Sequence, residues 1–292
     1  MLGVKKPSEV HKKMFYWFNS PVVRSFFMKH IVICLLFLSL GLGAQAADWE
    51  SSAMVTTSAG ELHYRMAGSG KPLVLLHGYT GYSHQWQAFL AEFVDEYKVI
   101  AIDLPGHGQS SKLGASFIVT DAATGVWEVM DHLGVKKIHG VGYSAGGMTL
   151  LQMALLQPSR VQAMVLASSA YSVPEAAPRG LFETLPQGYQ QDLLRNHGGD
   201  MDKIRAMLGA SFLAELNIES LRDLKTPTLL LSGDRDESFP LPVVVETYAA
   251  LPDARLWIVP GIGHALFWPW GGSADLARQF PPEVLRFFRE VE

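Results

Sequence analysis

Ser144, within Gly142-Tyr143-Ser144-Ala145-Gly146-Gly147, is the side chain whose setting points most directly to chemistry. It stands between a strand-like run, Lys137 to Val141, and a helix-like run, Met148 to Leu156. Gly-x-Ser-x-Gly at such a junction predicts a nucleophile elbow, a turn so sharp that the serine is forced into strained backbone. Small neighbours let the strand and helix pass closely. The hydroxyl would then stand at the carboxyl edge of a sheet, with a helix N-terminus aimed at it. A free serine is a poor nucleophile, so the chain must also supply a general base and donors for an oxyanion.

His264 is the candidate base. It follows the last apolar strand and lies between Gly263 and Ala265, small neighbours that leave its ring free to reach the elbow. There it would take the Ser144 proton and later return it to the leaving group. The other histidines sit in packing or solvated contexts: His63 and His139 in strand-like runs, His84 ahead of a helix-like segment, His107 in a glycine-rich loop, His132 at a helix end, His197 in a charged helical stretch. Two acids follow a strand end, Asp234 directly after Gly233 and Asp236 two residues on, with Glu237 as a third candidate. Asp103 to Ser110 is rich in glycine but lacks G-x-x-x-x-G-K-[ST], so its glycines read as turn residues rather than a phosphate cradle. With no H-E-x-x-H, no cysteine cluster and no EF-hand loop, neither a metal nor another cofactor is expected.

The elements that would position these residues alternate along the chain. Strand-like runs cover Leu62–Arg65, Pro72–Leu76, Tyr97–Leu104, Val161–Ala167, Pro227–Leu231 and Arg255–Val259. Helix-like runs include one with Trp86, Phe89, Leu90 and Phe93 on a single face, then Asp121–Leu133, Leu241–Leu251 and a closing helix Pro281–Val291. Such alternation predicts an α/β fold, a mostly parallel central sheet flanked by helices. Residues from 171 to about 224 break the rhythm and carry no strand-like run, which predicts an inserted helical cap.

Taken together, the chain resembles the α/β-hydrolase superfamily, in its small single-domain serine esterase and lactonase-like branch. The resemblance spans nearly all of residues 52–290 outside the cap. It rests on His77-Gly78-Tyr79 after an apolar strand, on Asp103-Leu104-Pro105-Gly106-His107-Gly108-Gln109-Ser110, on the elbow, on Gly233-Asp234-Arg235-Asp236 and on Gly263-His264. It implies a Ser144–His264–Asp236 triad, in the chain order of that fold. It favours Asp236 over Asp234, which would bond loop backbone instead. It implies an oxyanion hole of the Tyr79 and Ala145 backbone N–H groups, with Thr80 as the alternative if the loop is shifted by one. His77 would then be structural. The implied activity is hydrolysis of a carboxylic ester through an acyl-enzyme. Enol-lactonase, proline-iminopeptidase-like amidase and carbon–carbon bond hydrolase activities, and a non-catalytic binding protein on the same scaffold, are the alternatives. An aminopeptidase would need a cap acid to hold an amine, and Glu175, Glu183 and Asp192 are present. Tyr143, Phe239, Phe267 and Trp268 are candidate substrate-binding residues, with Tyr171, Met201, Met207 and Phe212 as further lining under the cap.

Residues 1–46 read as an extension plus secretory signal. Lys29-His30 precedes a 12-residue apolar run, Ile31 to Leu42, and Ala44-Gln45-Ala46 offers cleavage before Ala47. Met28 fits this signal as the true start. The remaining 47–292 carries 18 basic and 27 acidic residues, a balance of −9 against −4 for the whole chain. That charge excludes nucleic acid and anionic membrane as expected partners, leaving a small ester or lactone. The single cysteine, Cys34, falls within the leader, so 47–292 has no disulfide or thiol nucleophile. Periplasmic or extracellular placement is the expectation.

Overall fold

The computed structural model describes residues 47–173, 182–184, 187–214, 216–269 and 271–292. The predicted leader, with Met28 and Cys34, lies outside them, as does Glu175. Ala47–Glu292 forms one unit built on an eight-stranded sheet of order β1-β2-β4-β3-β6-β7-β9-β10. The strands are β1 (Ser51–Thr57), β2 (Gly60–Ala67), β3 (Lys71–Leu76), β4 (Tyr97–Ile102), β6 (Ile138–Tyr143), β7 (Val161–Ala167), β9 (Thr228–Gly233) and β10 (Ala254–Val259); β5 (Ser116–Ile118) and β8 (Ser211–Leu213) pair separately. β1, β2 and β4 are antiparallel neighbours, and every pairing from β4 to β10 is parallel.

Period-2 alternation explains why the apolar central strands stay buried. Val74, Leu76, Ile100 and Ile102 face one core, under α2 (Val119–His132), α3 (Ala145–Leu156) and α6 (Leu241–Ala250). Leu73, Leu75, Val99 and Ala101 face the other, under α1 (Leu90–Phe93) and α7 (Ala274–Val291). Between β7 and β9 lie α4 (Gln187–Asn196) and α5 (Met201–Gly209), with a small core of their own: Phe182, Leu193, Ile204, Met207 and Leu208.

Three expectations need correction. The insertion does contain a strand. β8 pairs in parallel with β5, in register Phe117↔Phe212, and the two rings stack at 5.3 Å. Three-residue strands are too short to show a period. β1 was missed because it is an edge strand whose first four residues are exposed, Met54 among them, so no apolar run marks it. α7 begins at Ala274, not Pro281; Ser273 caps it by accepting the Leu276 N–H, and both Pro281 and Pro282 lie inside. Proline normally marks a first turn, but the buried stripe Leu276, Phe280, Val284, Phe287 and Phe288 extends the helix through it.

Candidate active site

The elbow is as sharp as its sequence predicts. β6 ends at Tyr143, α3 begins at Ala145, and Ser144 between them has φ 54° and ψ −121°. A non-glycine residue in such backbone persists only when its surroundings hold it. The Ser144 N–H donates to Ala167 O at 2.9 Å, and its carbonyl accepts from the Gly147 N–H and the Ser169 hydroxyl, each at 2.9 Å. The glycines are dictated by backbone approach. A Cβ on Gly142 would lie 2.4 Å from Gly146 O, and one on Gly146 would lie 2.4 Å from Leu76 O.

The acid and the histidine arrive on two loops that cross. Gly233, at the end of β9, could not carry a Cβ, which would meet Ile262 O at 2.0 Å. The Arg235 N–H donates to that same carbonyl. So the turn after β10 passes over the loop after β9, and His264 meets Asp236. Its Nδ1 lies 2.9 and 3.0 Å from the two carboxylate oxygens, and its Nε2 lies 3.0 Å from Ser144 Oγ. A carboxylate only accepts, so Nδ1 carries the proton and Nε2 presents its lone pair to the serine hydroxyl. Burial of Asp236 by itself raises its pKa. The hydrogen bond and charge of His264 and the Phe239 N–H outweigh that, so the carboxyl sits below its ordinary value and stays ionised. Asp234 accepts from the Gly261 N–H at 2.6 Å, the loop-bonding role expected of it, and Glu237 is exposed.

On the other side of Ser144 lies the loop after β3. A Cβ on Gly78 would stand 3.1 Å from Ser144 Cβ, so Tyr79 follows directly from a residue packed on the nucleophile. Ala145 opens α3, and its N–H has no acceptor within the helix. His77 is fully buried and holds this loop, with Nδ1–H donating to Gly78 O at 2.7 Å and Nε2 accepting the Leu104 N–H at 3.0 Å. Burial lowers its pKa to about 4, against the opposing pull of Asp103. The Tyr79 hydroxyl donates to Met207 O of α5 at 2.8 Å, and its ring meets His107, Phe117 and Phe212 edge-on. The loop beside the serine is thereby tied to the cap. Thr80 adopts φ 68°, and its hydroxyl meets that of Tyr189 on α4.

The glycine-rich motif of 103–110 is an anchor for this region. Asp103, 1 % exposed, accepts from the Ser83 and Gln109 N–H groups and from His63 Nδ1. Ser110 donates to Asp103 O and accepts the His63 N–H. Gly108 has φ 49°, and a Cβ there would stand 2.2 Å from the Asp103 carboxyl carbon. Lys203 of α5 donates to Gly108 O and Ser110 O, at 3.2 and 2.6 Å, which clamps the cap to the same loop.

The expected pocket residues are placed differently. Phe267 and Trp268 pack into the core with Phe89, Phe280 and Trp86, at ring separations of 4.3 to 5.6 Å. Buried to 4 and 2 % exposure, they support the histidine turn rather than face a cleft. Phe239 is buried and stacks on His264 at 5.8 Å. Tyr143 is buried too, and its hydroxyl donates to His264 O at 2.9 Å. Met207 belongs to the cap core with Met201 packed against it, Phe212 stacks on Phe117, and Tyr171 turns its hydroxyl to Glu246. Glu183 and Asp192 are exposed and paired with Arg205 and Arg195. Sequence reasoning missed Ser169, the Tyr143 hydroxyl and Lys203. The second glycine of Gly146-Gly147 was the available signal for the first, since a Cβ on Gly147 would lie 2.5 Å from the Ser169 side chain. Among the described residues, no three His, Cys, Asp or Glu side chains gather as a metal site, and no helix is long and apolar enough to cross a membrane.

This architecture has known counterparts. The family model described as alpha/beta hydrolase fold matches residues 71–208, and the chain has the α/β-hydrolase fold. It is 28 % identical to a non-heme haloperoxidase of Rhodococcus erythropolis over 253 residues, covering 73 % of this chain and 92 % of that one. It is also 28 % identical to a pimeloyl-[acyl-carrier protein] methyl ester esterase of Nitrosomonas europaea over 244 residues, covering 70 and 93 %. The crystal structure of a Bacillus subtilis carboxylesterase superposes with a TM-score of 0.69 at 22 % identity, covering 85 % of this chain and 94 % of that one. At that identity the likeness concerns the fold alone.

Proposed function

We propose that this protein is a serine hydrolase that cleaves small carboxylic esters through an acyl-enzyme. The observation that carries the reading is the unbroken relay Ser144 Oγ, His264 Nε2, His264 Nδ1, Asp236 carboxylate, with neighbouring contacts of 2.9 to 3.0 Å. In this reading His264 takes the serine proton as Oγ attacks the carbonyl, and Asp236 stabilises the imidazolium that forms. The Ala145 and Tyr79 N–H groups hold the oxyanion. His264 then protonates the leaving alcohol and activates the water that releases the acid. The chemistry needs no cofactor. The methyl ester esterase relative supports an ester over an amide. So does the pairing of Glu183 and Asp192 with arginines, which leaves neither as a ready anchor for a substrate amine. Export, with a mature chain starting at Ala47, is part of the proposal; N-terminal sequencing of the native protein tests it.

The functional test is hydrolysis of p-nitrophenyl esters, from acetyl to longer acyl groups, by residues 47–292 beside Ser144→Ala. Turnover by the parent and its loss in the variant is the expected result, and the best acyl length sizes the site. Ester turnover that survives Ser144→Ala would refute the assignment. Faster turnover of aminoacyl-naphthylamides than of esters would replace the substrate class.

A further inference from the structure

Tyr143 occupies the variable position before the nucleophile, where a side chain could face substrate. Instead it is 5 % exposed and touches three loops at once. Its backbone forms the strand end that carries Ser144. Its ring lies under the loop after β3, because a Cβ on Gly78 would fall 2.7 Å from its Cδ1. Its hydroxyl donates to the backbone carbonyl of His264 at 2.9 Å, and its ring centroid lies 5.4 Å from the imidazole. Trp268 closes the far side edge-on at 5.7 Å.

The two partners of that hydrogen bond are unlike in rigidity. β6 pairs on both sides within the central sheet. His264 instead sits on an irregular turn between β10 and α7, with positive φ at Gly261 and Leu266 and a side chain 31 % exposed. A base on such a turn must still hold hydrogen-bond distance to the serine, and small misplacements of a reacting group are costly in rate. Burial, with a smaller contribution from the Asp236 charge, pushes the phenol well above its ordinary value, so it remains a donor at any working pH.

We propose that Tyr143 is a positioning residue for the general base: its hydroxyl pins the His264 backbone to β6 and so sets the imidazole-to-Ser144 distance. The inference rests on the serine-hydrolase reading but makes its own claim. The test is Tyr143→Phe, which keeps the ring beneath Gly78 and removes only the hydroxyl. Rates are normalised to active sites by titration with a fluorophosphonate. The expected result is a fall of about fivefold to tenfold in kcat and in Ser144 phosphonylation rate, the equivalent of one buried hydrogen bond. KM stays close to that of the parent, and the melting temperature falls by no more than about 2–4 °C. In a His264→Ala background the same substitution should change the residual rate by less than twofold, because the tyrosine acts through the histidine. Parent-like rates in Tyr143→Phe, or an equal loss in the His264→Ala background, would overturn the proposal. If the parent neither turns over esters nor labels, the serine-hydrolase reading fails instead. The 15N imidazole spectrum of His264 then decides: a change between parent and Tyr143→Phe sustains the pinning, and identical spectra overturn it.

Discussion

Asp103→Ala should strongly destabilise this protein although Asp103 touches neither Ser144 nor His264. The carboxylate accepts three hydrogen bonds, from the Ser83 N–H, the Gln109 N–H and His63 Nδ1. Gln109 is exposed and can turn its N–H to water; Ser83 and His63 are buried and cannot. A buried donor left without a partner costs about 1–3 kcal/mol, so the two together cost roughly 2–6 kcal/mol, with about 4 kcal/mol as the central expectation. Domains of this kind are stable by only about 5–15 kcal/mol. Asp103→Asn keeps one acceptor and should lose about half as much as Ala. Urea unfolding followed by tryptophan fluorescence measures both. An Ala variant within about 1 kcal/mol of the parent would mean that water replaces the carboxylate, and the anchoring role assigned to the 103–110 loop would be wrong.

Two further outcomes are expected. His77 titrates near 4 in the folded chain and near 6.5 unfolded, so both states are neutral above pH 6.5 and it contributes no pH dependence there. Between about pH 6.5 and 4 the unfolded chain takes up a proton that the folded chain refuses, which removes up to about 3 kcal/mol. His107 and His197 are lowered by the same burial and act in the same direction. Asp103, held below its ordinary value, adds a loss only below about pH 4. Urea midpoints that stay level from pH 7.5 to 4.5 would contradict this. Asp236→Asn replaces the acceptor of the His264 Nδ1 proton by an amide and disfavours the tautomer the serine needs. The ester kcat should fall by roughly 10⁴-fold with KM little changed; a loss under tenfold would show that Asp236 does not orient the base.

Much of the site is legible in the chain because its constraints are local. Gly142 is required by a backbone contact with Gly146 inside the elbow itself, so a glycine pattern records it. Gly106 and Gly108 need positive φ within one loop, and Ser110 closes on Asp103 a few residues away. The alternation of apolar runs shows the parallel sheet for the same reason, since strand and helix periods are properties of neighbouring residues. The order Ser144, Asp236, His264 is likewise written in motifs that each follow a strand.

What the chain alone left undecided are contacts between segments far apart in sequence. The proximity of Asp236 and His264 depends on Ile262 O crossing Gly233. The tie between cap and core depends on Tyr79, Met207, Lys203 and the β5–β8 pair, drawn from four separate stretches. The aromatic residues show the difference most plainly. Tyr143, Phe267 and Trp268 have the chemistry of a pocket wall, and only the packing of α7 and the His264 turn makes them its support. A side chain's type records what it can touch; which of its possible neighbours it meets is decided when distant segments compete for the same buried volume.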